Sequence, residues 1–107
     1  MHLNKVSLIG ILADDPVREL RPKKTLRTRF HLVVNHVWID AKTRQRQQSL
    51  DRFAVEAYGK LAEILAAYVR KGSKVYVEGR LRTGGPAGTR IFADQVIMLG
   101  HHAPEGG

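Results

Sequence analysis

Between Lys74 and Arg82 the side chains alternate. Val75, Val77, Gly79 and Leu81 fall on one side, and Lys74, Tyr76, Glu78, Arg80 and Arg82 on the other. Such a period of two marks a strand with one dry face and one wet face. Leu50–Tyr58 repeats the arrangement, with Phe53, Val55 and Ala57 inward and Arg52, Ala54, Glu56 and Tyr58 outward. Rings interleaved with fixed cations on neighbouring strands suit one kind of chemistry. A flat ring stacks on an unpaired base for ~1–3 kcal/mol, and a cation answers a phosphate. An unpaired polynucleotide offers both groups at once.

Each candidate also has a plainer reading. Trp38 shares parity with Phe30, Leu32 and Val34, so it points inward unless a bulge turns it. Tyr58 either stacks or packs beside the start of a helix. Tyr76 either stacks or is a strand former in a subunit contact. Arg52 either offers its guanidinium plane to a base or pairs with Glu56, two residues along the same face. Arg44 and Arg46, with Lys42, lie in a polar stretch, Asp40–Ser49, that reads as a long hairpin loop. There they either wrap a backbone or are solvated charge.

Reactive groups are sparse. The chain has no cysteine, which removes disulfides, thiol nucleophiles and thiolate zinc sites. His2, His31, His36, His101 and His102 have no partners at metal spacing. Asp14 and Asp15 belong to a turn, and Asp51, Glu56, Glu63, Glu78 and Asp94 are scattered. Ser7, Ser49 and Ser73 lack a nucleophile-elbow context. The expectation is a binder rather than an enzyme, with no cofactor and no metal. Eighteen Lys plus Arg against ten Asp plus Glu give a net charge of +8, which favours a polyanion. No apolar run approaches the ~20 residues of a membrane span, so no membrane partner is expected. The opening residues carry no secretory signal, and a cytoplasmic, nucleoid-associated location is the expectation.

The elements that must position these groups follow from the same pattern. With 107 residues, 43% of them hydrophobic, the chain has room for one domain. Leu3–Leu12 reads as a first strand, stopped by Asp15-Pro16. Val17–Arg27 reads as a basic connector, and Thr28–Ile39 as a second strand with Arg29, His31 and Asn35 on its polar side. After the third strand, Leu61, Ile64, Leu65 and Tyr68 recur at helical spacing. Arg70 and Lys71 are expected in the last turn, with Gly72 as the cap. Lys74–Arg82 is the fourth strand, Thr83–Gly88 a short turn and Thr89–Leu99 the fifth. The expected fold is mainly β: a five-stranded Greek-key OB barrel with one α-helix between strands 3 and 4. An SH3-like barrel lacks that helix, and a sandwich needs more strands. The expected organisation is an OB domain over residues 1–100 and a flexible tail over 101–107.

Two stretches resemble a known family. Asn4-Lys5-Val6 with Leu8-Ile9-Gly10 and Asp15-Pro16 is similar to the opening of bacterial single-stranded DNA-binding proteins. The block YGKLAEILAAYVRKGSKVYVEGRLRT, Tyr58–Thr83, resembles their centre almost position by position. The resemblance implies an OB fold and sequence-tolerant binding of single-stranded DNA in DNA replication, repair or recombination. It also implies a homotetramer, or a dimer, associating through the first strand, with replication or repair proteins as partners. Trp38 and Tyr58 match two of the family's stacking aromatics, and Lys5, Lys60, Lys71, Arg80 and Arg82 match basic positions. Arg18 and Arg21 fall in the first connector, where OB folds commonly touch DNA. Three departures stand out. Arg52 replaces a third-strand tryptophan, the loop TGGPAG lacks the family's aromatic, and the acidic Phe-ending tail has no counterpart here. These fit a reduced or specialised member, or a truncated chain. A primosomal-type OB adaptor and a single-stranded RNA binder are the alternative readings.

Overall fold

The computed structural model describes residues 1–101. Its elements are β1 (Val6–Leu12), β2 (Val17–Arg21), a 3-10 turn (Pro22–Lys24), β3 (Thr25–Ile39), β4 (Arg46–Tyr58), α1 (Gly59–Tyr68), β5 (Ser73–Arg82) and β6 (Arg90–His101). Strand order in the sheet is β1-β5-β6-β4-β3-β2, and β1 also pairs with β3. Five strands thus form a closed cycle, and β2 hangs on its outside through β3. This is the OB topology, with the helix leading from β4 to β5.

Closure is brief at two seams. β1 meets β3 only at Ile11↔Val33 and Leu12↔Leu32, and β4 meets β6 in parallel at Val55↔Ile91 and Glu56↔Phe92. A strand that changes neighbours must bend, and glycine permits it. A Cβ on Gly79 would lie 2.1 Å from the Phe92 carbonyl oxygen, and one on Gly10 would lie 2.4 Å from that of Val33. Gly79 also sits at a register shift between β5 and β6.

The alternating apolar residues meet inside. Leu12, Phe30, Leu32, Val55, Ala57, Val75, Val77 and Ile91 are buried, and Leu65 and Val69 close one end from the helix side. The buried Thr28 hydroxyl donates to the Ala62 carbonyl at 2.8 Å, tying β3 to α1.

Several boundaries differ from the expectations. Val17–Arg21 is not a connector but a strand, in register with Thr25–Arg29. Its residues are exposed or half-buried on both sides, so no apolar alternation marks it. The Asp40–Ser49 loop shrinks, because Arg46–Ser49 already pair with His36–Ile39. That arm projects past the core, so polar residues suffice on both of its faces. β1 begins at Val6, and before it the Asn4 amide mimics one more strand pair. Its nitrogen donates to the Leu81 carbonyl at 2.9 Å, and its oxygen accepts the Leu81 N–H at 2.8 Å. In the helix, Leu65 is buried as expected, together with Ala62, whereas Tyr68 is 70% exposed and Val69, just past the helix, is buried. The helix ends before Arg70 and Lys71, which therefore do not sit in its last turn. Gly72 follows at a φ of 92°. Among the described residues no helix is long and apolar enough to cross a membrane. The expected tail lies, from residue 102 onward, outside the described residues.

Candidate nucleic-acid interface

β3, β4, β6 and β5 lie side by side, and their outward residues form one continuous surface. Register places Arg27 beside Tyr58 and Arg29 beside Glu56, Glu56 beside Phe92, and Phe92 beside Arg80. The Tyr58 and Phe92 rings pack at 4.7 Å with planes 39° apart. The guanidiniums of Arg80 and Arg82 lie 5.6 and 5.2 Å from the Phe92 ring centre. A guanidinium held against a ring on one side presents its other flat side outward, where a base can lie.

The charges are organised around two carboxylates. Glu56 is 3% exposed and accepts a 2.8 Å hydrogen bond from Arg90 Nε and a 3.4 Å one from the Tyr58 hydroxyl. Arg27 adds a cation at 3.8 Å. A carboxylate so deep needs these partners, since an unpaired buried charge is very costly. Arg90 also donates to the carbonyls of Gly84 at 3.1 Å and Gly88 at 2.9 Å. The 83–89 loop is thereby pulled over the surface. A groove of about 410 Å³ runs beneath it, lined by Arg21, Arg27, Arg29, Glu56, Pro86 and Ala87.

Glu19 on β2 is the second carboxylate. It takes hydrogen bonds from Arg27 and, at 2.5 Å, from Arg29, with Arg21 at 3.9 Å. The hydrogen bond from Arg27 holds the Glu19 carboxyl below its ordinary range. The same bond raises the Arg27 guanidinium above its own.

The structure brings together only part of the set expected from sequence. Tyr58, Arg80 and Arg82 converge on Phe92, and Arg21 joins through Glu19. Tyr76 lies further along β5, its hydroxyl 2.9 Å from Glu78 and 3.3 Å from Ser7, and Lys5 pairs with Glu78 at 3.5 Å. Arg52 does not pair with Glu56. It reaches Asp14 at 3.3 Å, which His31 Nδ1 also meets at 3.2 Å. Glu56 is already saturated by Arg90 and Arg27. Arg18 points away from Arg21, into a groove shared with Glu63, Ala66 and Ala67 of the helix. Lys60 pairs with Glu63 at 3.9 Å on that helix. Lys71 follows it, its backbone N–H bonded to Asp15 at 2.8 Å.

Trp38 stands on the arm. The β3–β4 register is unbroken, so no bulge turns it and it keeps the parity of Phe30. It is nonetheless 42% exposed, because the core ends before the arm does. Its ring stacks on His36 at 5.2 Å with planes 25° apart. Arg46 pairs with Ile39 nearby, and Arg44 sits in the tip turn at a φ of 62°. Asp40 fastens that turn by accepting the N–H groups of Lys42 and Thr43 at 2.8 and 3.0 Å. These bonds, Thr43 first, hold its carboxyl below the ordinary range.

Sequence reading missed Phe92, Arg90 and Arg27. The signal was present: Arg90 and Phe92 alternate with Ile91 and Ala93, which are buried. The described residues hold no group of three metal-ligating side chains.

Comparison with known proteins bears on this surface. Residues 3–97 match the profile of the single-strand binding protein family. The fold is similar to the Plasmodium falciparum SSB solved in complex with ssDNA. That likeness has a TM-score of 0.84 and 26% identity over 92% of this chain and 96% of the other. It is also similar to a deletion mutant of the single-stranded DNA binding protein from Thermus aquaticus. There the TM-score is 0.80 and the identity 26%, over 91% of this chain and 50% of the other. The chain thus spans about half the length of that deletion mutant.

Proposed function

We infer that this chain, which belongs to the single-strand binding protein family, holds single-stranded DNA across the outward face of β4, β6 and β5. The observation that carries this reading is the Tyr58–Phe92 ring pair under the guanidiniums of Arg80 and Arg82. Bases stack on the rings and on the outer sides of those guanidiniums, whatever their identity, because every base has a flat face. Phosphates are met by Arg29, Arg21 and the outer nitrogens of Arg80 and Arg82. Trp38 and His36 receive a further base at the arm, where Arg44 and Arg46 answer its phosphates. Arg18 and Lys60, on the helix side, lie off this path. The reading is of a binder without catalysis, serving replication, repair or recombination on DNA in the cytoplasm.

Association between copies is part of the reading. Ile9 and Leu50 are 52% and 68% exposed and share a groove of about 350 Å³ with Ile11 and Val33 on the outer side of β1. Apolar surface of this kind, beside a strand only briefly paired to β3, favours a second copy.

Titration with oligo-dT tests the function. Trp38 emission falls on binding, and log affinity falls linearly with log salt, with a slope near −0.7 per phosphate contacted. Undetectable or salt-independent binding contradicts the reading.

A further inference from the structure

Glu19 is an odd neighbour for a polyanion. It is the carboxylate of the surface that the fold does not bury. Glu56 is 3% exposed and locked by Arg90, whereas the Glu19 side chain is 27% exposed. It also stands on β2, which pairs with β3 alone. Its three cationic partners differ in freedom. Arg27 is 17% exposed and reaches Glu56 as well. It therefore keeps a partner when Glu19 lets go. Arg29 and Arg21 are both 48% exposed, and Glu19 is the one carboxylate with which either forms an ion pair among the described residues. Both line the groove beneath the 83–89 loop.

A carboxylate and a phosphate present similar acceptor oxygens to a guanidinium, and both take its paired N–H groups. An exposed ion pair is weak, so an incoming anion displaces it readily. We propose that Glu19 is a tethered competitor for phosphate. It occupies Arg29 and Arg21 in the free protein, is displaced by a strand phosphate on binding, and so lowers affinity and sets how readily the strand is released. The inference rests on the single-strand-binding reading above. It adds a residue that weakens binding where every other named residue strengthens it.

The test compares oligo-dT binding by the unaltered chain, Glu19→Gln and Glu63→Gln over a series of salt concentrations. Glu63 lies on the helix, beside Lys60, and controls for the gain of one unit in net charge. Glu19→Gln is expected to bind roughly three- to tenfold more tightly at low salt. Its salt slope is expected to match that of the unaltered chain, because the same phosphates are met in both complexes. A purely structural role for Glu19 predicts the opposite sign, because loosened arginines bind less well. Unchanged or weaker binding by Glu19→Gln overturns the inference while leaving the functional reading intact. Equal tightening by Glu63→Gln also overturns it, by reducing the effect to bulk charge. If no variant binds, the functional reading fails and the inference falls with it.

Discussion

Phe92 carries more of the proposed surface than any other side chain, because one ring contacts Tyr58 and lies under two guanidiniums. Phe92→Ala is expected to weaken oligo-dT binding by about 1–3 kcal/mol. Combined with Tyr58→Ala, the loss should fall short of the sum, since residues in contact couple. Equilibrium titration of the two single variants and the double variant measures this. Acid acts at the same scale. The Glu19 and Asp40 carboxyls both lie below their ordinary range in the folded chain. The stability they contribute is complete above the unfolded carboxyl value, about 4, and is lost as pH falls through the lower folded values. Thermal melts between pH 6 and pH 2 should therefore show a smaller acid-induced drop for Glu19→Gln than for the unaltered chain. At this scale Tyr58, Arg80 and Arg82 could be read from alternation alone. Arg52 could not, because its partner Asp14 is 38 residues away.

Among elements, the outcome depended on whether a strand has a face on the core. β5 was legible because buried Val75 and Val77 alternate with exposed Lys74 and half-buried Tyr76 and Glu78. β2 and the Arg46–Ser49 side of the arm were not, because Leu20 is 74% exposed and Arg46–Ser49 are all exposed or half-buried, and a strand wet on both sides leaves no period. The helix was placed well but rotated. Tyr68 looked like a core residue by spacing, whereas α1 seats Ala62 and Leu65 against β3 and β4. Thr28 is the polar link at that seat. Thr28→Val removes the hydrogen bond that ties β3 to the Ala62 carbonyl of α1. A loss of about 0.5–1.5 kcal/mol in denaturant-induced unfolding is expected, with oligo-dT affinity unchanged because the site faces the other way. Leu65→Ala should cost about 2–5 kcal/mol by opening a cavity under the barrel.

At the scale of the whole molecule, a closed five-strand cycle gives the chain two distinct outer surfaces. The outward face of β4, β6 and β5 collects rings and arginines. The outer side of β1 collects Ile9, Ile11, Val33 and Leu50. The net charge of +8 draws a polyanion towards the molecule without choosing a face, and the rings and arginines gathered around Phe92 do the choosing. If β1 is the contact between copies, light scattering should report a mass at least twice 12.0 kDa. A paired Ile9→Glu, Leu50→Glu variant should then fall to the monomer. A 12.0 kDa species from the unaltered chain at micromolar concentration would remove that part of the account.

The central claim is that the strand lies on the rings of β4 and β6. Photocrosslinking to oligo-dT, followed by identification of the modified peptides, tests it most directly. The account predicts adducts on Tyr58 and Phe92, with Trp38 as a further site on the arm. Adducts confined to the helix side, between Lys60 and Tyr68 or at Arg18, would contradict it.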